Sequence, residues 1–84
     1  MKVNYCVADD WQGIYVNGLL KEEEHEISIM EFLNIIVEDW ESDDKLEVCK
    51  FYIDQDWVED YGNFPNSFTD IPDEVIAFDE KISF

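Results

Sequence analysis

Residues 2–8 alternate, with Val3, Tyr5 and Val7 on one side and Lys2, Asn4 and Cys6 on the other, the period-two pattern of a half-buried strand. Gly13–Val16 and Leu19–Lys21 flank Asn17 and Gly18. That dipeptide accepts the positive φ values of a type I′ turn, so the two segments read as a tight hairpin. Trp11-Gln12-Gly13 reads as the turn that leads into it. Ser28 and Glu31 then have the spacing of a capping box, each side chain satisfying the other's backbone N–H. Ile29, Phe32, Leu33, Ile36, Val37 and Trp40 follow at i, i+3, i+4 intervals, predicting a helix over 28–40 that the charged run Glu41-Ser42-Asp43-Asp44 ends.

From Leu46 to Ile53 both sides of the pattern carry bulk, Leu46, Val48 and Tyr52 against Cys49, Phe51 and Ile53, as in a central strand. Asp54 can cap a short second helix containing Trp57, Val58 and Tyr61, with Gly62 placed to stop it in a left-handed conformation. Beyond Asn63, Pro65 and Pro72 punctuate a segment that still carries Phe64, Phe68, Ile71, Val75, Ile76 and Phe78. It should wrap the core as a loop plus a strand near 74–78. Trp40 and Trp57 sit at core spacing, whereas Trp11 lies in a turn beside Gly13 and two acids, where an exposed interface anchor is equally at home. The order β-ββ-α-β-α predicts one α+β domain over 1–84, with a mainly antiparallel sheet and the long helix packed on one face.

Composition supports a folded core and adds a second theme. Hydrophobic residues make up 46% of the 84 and aromatics 15%, enough to exclude a disordered chain. Against 22 Asp and Glu stand five Lys and no Arg, for a net charge of -17. A magnitude of about 2–8 suffices to keep a small domain soluble, and self-repulsion opposes compaction. So much acid points to a basic partner. Spread over the roughly 5,000 Å² of a folded chain this size, the charge is about threefold more dilute than on duplex DNA. Resemblance to a phosphate row therefore requires the acids to converge.

Candidate chemistry is thin. His25 is the lone histidine, and no Cys or His is spaced to share a zinc with it. Ser28, Ser42, Ser67 and Ser83 lack a nucleophile-elbow setting, and no Gly-rich loop or Arg clamp is present for nucleotide chemistry. Asp54-Gln55-Asp56-Trp57-Val58-Glu59-Asp60 begins like a calcium loop, but Val58 takes a ligand position and the required Gly is missing. The expectation is a non-enzymatic protein without cofactor or metal. The first residues do not form a secretory signal and no stretch approaches the roughly 20 apolar residues that cross a bilayer. This predicts a cytoplasmic protein in which Cys6 and Cys49 are reduced and packed. An anionic surface also disfavours nucleic acid or anionic membrane as direct partner.

The clustered acids Asp39, Glu41, Asp43 and Asp44, with Asp56, Glu59 and Asp60, are the expected partner contacts, and Trp11 the expected apolar anchor. In size and charge the chain resembles phage-encoded DNA-mimic proteins that block restriction enzymes, CRISPR effectors or repair glycosylases. The segments DDWQGIYVNG, EEHEISIMEFL and IDQDWVEDYGNFP also look like a family of small uncharacterised bacterial proteins with a hairpin, a capped helix and a DW–YG–P stretch. The compositional resemblance implies an inhibitor that covers the nucleic-acid site of a basic host protein; an uncovered sheet edge against the repulsion of two chains of -17 predicts a monomer or weak dimer. The alternatives are an immunity protein or antitoxin that sequesters a basic nuclease toxin, and a small interaction protein whose acidity is incidental.

Overall fold

The computed structural model describes residues 1–41 and 43–83; Ser42, in the run expected to end the long helix, lies outside the described residues. Five strands and two helices follow in the order β1 (Lys2–Val7), β2 (Gln12–Val16), β3 (Leu19–Glu24), α1 (Ile29–Asp39), β4 (Glu47–Ile53), α2 (Gln55–Tyr61) and β5 (Ile76–Ser83), with two 3₁₀ turns at Phe68–Asp70 and Asp73–Val75. The strands form one sheet in the order β3-β2-β1-β4-β5. The class is α+β, as expected, but the sheet is mixed: β1 pairs parallel to β4, Lys2 opposite Glu47 through Val7 opposite Tyr52, while every other pair is antiparallel.

Local signals behave as their chemistry requires. Asn17 and Gly18 have φ of 51° and 87° and close the β2–β3 hairpin. The Glu31 N–H donates to Ser28 Oγ at 3.1 Å and the Ser28 N–H to Glu31 Oε1 at 3.4 Å, so the capping box starts α1. Asp54 accepts from the Asp56 N–H at 3.0 Å, and Gly62, at φ 105°, ends α2.

Other expectations are corrected. β1 is not half-buried: Val3 and Cys6 are both fully buried and Asn4 is 4% exposed, because both faces of the sheet are covered. On one face α1 and Ile27 pack over Val3, Ile14 and Leu46. On the other, α2 and the 62–75 segment bury Cys6, Tyr15 and Ile53 beneath Val58, Phe64 and Ile71. Gln12 and Gly13 already belong to β2, and β3 runs on through the acidic residues to Glu24. The final strand starts later and reaches further than 74–78. In α1, Phe32, Ile35 and Ile36 meet the core while Ile29, Leu33, Val37 and Trp40 remain exposed; Trp40 is therefore not a core residue. Trp57 is half-buried, stacked on Tyr61 with ring centroids 5.2 Å apart.

Of the contacts that hold the 62–75 segment to the sheet, two can be broken by single substitutions. The Tyr15 hydroxyl, buried between Phe64 and Phe68, donates to the Pro65 carbonyl at 2.6 Å. Gly13 lies directly under the Phe64 ring, where an added Cβ would fall 2.4 Å from Cδ2 and 2.8 Å from Cε2. Tyr15→Phe leaves a buried carbonyl unpaired and should cost about 1–3 kcal/mol. Gly13→Ala must displace the ring and should cost a similar ~1–3 kcal/mol. Both are read as lower urea midpoints with unchanged slopes.

Candidate functional site: an acidic pole

Because β1 and β4 run parallel, their C-terminal ends share one end of the sheet, and several connections meet there. The β1–β2 turn brings Asp9 and Asp10. The antiparallel return of β2 and β3 places Glu22, Glu23 and Glu24 beside Ile14, Gly13 and Gln12, with Glu26 just beyond. The first turn of α1 adds Glu31. At the end of β4 comes Asp54, followed by α2, whose start lies against the β1–β2 turn through the Asp10 N–H bond to Gln55 Oε1 at 2.9 Å. Just past α2, Phe64 returns to β3, its N–H donating to Glu23 Oε1 at 3.1 Å. The helix thus crosses the sheet near this same end and brings Asp56, Glu59 and Asp60, all exposed. Asp54 also bonds the Val75 carbonyl, which draws in the turn carrying Asp73 and Glu74.

None of the five Lys lies at this end. Lys2 and Lys45 sit at the opposite end, and the three near mid-sheet are each paired: Lys21 to Asp39 at 3.2 Å, Lys50 to Asp79 at 3.6 Å and Lys81 to Glu47 at 3.4 Å. The charge, roughly one unit per 300 Å² over the 5419 Å² surface, is thus unevenly held, with the Lys away from this pole.

The expected contact residues separate into two groups. Asp56, Glu59 and Asp60 belong to the pole. Asp39, Glu41, Asp43 and Asp44 follow α1 to the other end, on the opposite side of the sheet from α2, where cations are near. Asp39 takes Lys21, and Asp44 takes the Met1 amino group at 2.6 Å, which holds its carboxyl below the ordinary value. Trp11 does reach the pole, though not as a free anchor: it is half-buried, its Nε1–H donates to Glu23 at 2.8 Å and its ring meets His25 edge-on at 4.9 Å. His25 Nδ1 lies 3.1 Å from the Asp10 carbonyl, an acceptor, so this nitrogen carries the proton. Sequence reasoning passed over Asp9, Asp10, Glu22, Glu23, Glu24 and Glu26 as contacts, although their clustering was visible. The missing information was which ends of the chain share an end of the sheet.

Glu22, Glu24 and Glu31 form the tightest carboxylate group, with oxygens within 4.8 Å of one another. Such a set offers the hard oxygen ligands that divalent cations take, but it already has an internal solution. Glu24 hydrogen-bonds to Glu31, which raises the Glu24 carboxyl above its ordinary value and lowers that of Glu31, further helped by Ser28. The closeness of the two like charges disfavours ionisation of Glu24. The core thiol Cys6 is pushed up to about 12 by burial and stays protonated at neutral pH.

Since the Glu24 value is raised in the fold, its stabilising contribution is complete below the ordinary value of 4.5 and is lost as pH rises through the raised one. Glu24→Gln keeps a donor toward Glu31 without the second charge. It should raise Tm at pH 7, with the advantage over the parent shrinking as pH approaches 4.5, followed by thermal melts across that range. Among the described residues no helix is long and apolar enough to cross a membrane. Comparison with protein-family models, with curated proteins and with solved structures finds no match to this chain.

Proposed function

We propose that the chain is a non-enzymatic binding protein that presents the acidic pole to the nucleic-acid site of a basic protein and so excludes DNA or RNA from it. The observation that supports this reading is the segregation of charge: acids from the β1–β2 turn, β3, α1 and α2 gather at one end with no Lys among them, despite the repulsion this creates. A surface kept acidic only for solubility has no need of such a gradient. Opposed potentials speed encounter and select against anionic partners.

Exposed carboxylates on α2 and the β1–β2 turn would contact Lys and Arg that otherwise hold phosphates. The end bearing Asp39, Glu41, Asp43 and Asp44, with its own internal cations, is secondary in this reading. A bacterial DNA-targeting or DNA-repairing enzyme is the kind of partner this fits.

Immobilised protein should capture nucleic-acid-binding proteins from bacterial lysate, and duplex DNA or RNA should displace them at a salt level that alone leaves them bound. Affinity for a captured protein should fall steeply between about 50 and 500 mM salt. Asp56→Lys/Asp60→Lys should slow association about tenfold or more, whereas Glu41→Lys/Asp43→Lys, at the other end, should change it by no more than about twofold. Capture indifferent to nucleic acid, or equal loss from both variants, would sink the assignment.

A further inference from the structure

The helix α1 has a broad apolar face, with Glu31, Asn34 and Glu38 on the polar side, and the sheet covers only part of that face. Phe32, Ile35 and Ile36 meet the sheet, while Ile29, Leu33 and Val37, one turn apart on a single stripe, are 74, 46 and 77% exposed. Three large aliphatic side chains in line on a helix normally face an interior or a partner, so this stripe is suited to a second contact.

The sheet beside it has room for that contact. Five strands spaced about 4.8 Å apart span roughly 19 Å between the outer two, and one helix, about 10 Å wide, covers only about half of that. The opposite face is covered over β1, β2 and β4 by α2 and the 62–75 segment, with Phe78 of β5 left 60% exposed. On the α1 face, β4 is only partly covered, with Val48 half-buried, and β5 is open. A groove of about 630 Å³ runs between α1, represented by Ile29 and Leu33, and the strand residues Val48 and Ile82, with Ile82 51% exposed. The open strip is one helix wide.

Charge decides what kind of helix. Lys50, the cation lining the groove, is engaged by Asp79 at 3.6 Å and lies over the Tyr52 ring, while Glu80 on β5 lines the same groove. Around these the chain carries -17. A second copy, or any apolar segment with acidic flanks, arrives against that field; one with basic flanks is drawn in. We propose that the groove between α1 and β4–β5 receives a cationic amphipathic helix of a partner protein, with its apolar stripe laid on Leu33, Val48 and Ile82 and its basic residues facing the acidic surroundings. This goes beyond the reading of the acidic pole, since the groove lies on a face of the sheet and works by apolar burial.

The test uses a Leu/Lys peptide of about 18 residues with one apolar stripe, a scrambled peptide of equal composition, and the variant Leu33→Asn/Ile82→Asn, in which two exposed side chains change without altering charge. The striped peptide should bind one to one, gain helicity, and shift the amide resonances of Leu33, Val48 and Ile82. Scrambling the peptide, or using the Asn variant, should weaken binding about tenfold or more, while Asp56→Lys/Asp60→Lys should leave it within about twofold. Circular dichroism and an unchanged melt establish that the Asn variant is folded. Equal binding of the scrambled peptide, or equal binding by the Asn variant, would overturn the proposal. Sedimentation showing a dimer that the Asn variant abolishes would place a second copy in the groove instead, and binding of laurate without the striped peptide would make it a lipid site; either result also overturns it.

Discussion

The parallel pairing of β1 with β4 is the constraint on which the rest depends. Two parallel neighbours cannot be joined by a tight turn, so the chain must return to its starting end before β4 begins. It does so through β2, β3 and α1, and that route places the helix along one face and the hairpin beyond β1. With α1 fixed on one side, α2 and the 62–75 segment cover the other, and β1 acquires two buried faces. The N-terminal strand is thereby the middle of the molecule.

The same pairing organises the electrostatics. Connections that leave or enter at the C-terminal ends of β1 and β4 are rich in Asp and Glu, and parallel alignment brings them to one end where an antiparallel partner would have divided them. The cations fall elsewhere and are engaged, Lys21 by Asp39 and Lys81 by Glu47. Like charges held together raise the free energy of the fold, and some of that strain is relieved locally, by the Ser28 N–H donating to Glu31 and by Trp11 and Phe64 donating to Glu23.

What could be read from the sequence was what neighbouring residues decide. Asn17 and Gly18, Ser28 with Glu31, and Asp54 with Gly62 each fix a turn or a helix end through bonds spanning a few residues, and each stands where expected. Strand partnership depends on residues about 45 positions apart and leaves no local mark, so the parallel pair was missed and with it the destination of the acids. In β5 a bulge opposite Lys50 and Phe51 inserts Asp79, turning Phe78 to one face and Glu80 and Ile82 to the other. Alternation is broken there, and the strand read as ending at its bulge. The apolar face of α1 was correct in composition and wrong in coverage, because spacing does not report how wide the sheet beneath it is.

A central strand at the N-terminus also bears on how the molecule is made. During synthesis β1 meets β2 almost at once, but its other edge stays open until β4 emerges about 45 residues later, on the order of seconds at typical elongation rates. In that interval the nascent chain presents an unpaired edge bearing Val3, Tyr5 and Val7, the feature most prone to wrong strand pairing. The acids of β3 are already translated by then and lie across β2 from that open edge, close enough to charge the unfinished sheet. A surface that repels its own copies can thus guard an unfinished sheet on the ribosome before it has any partner to meet.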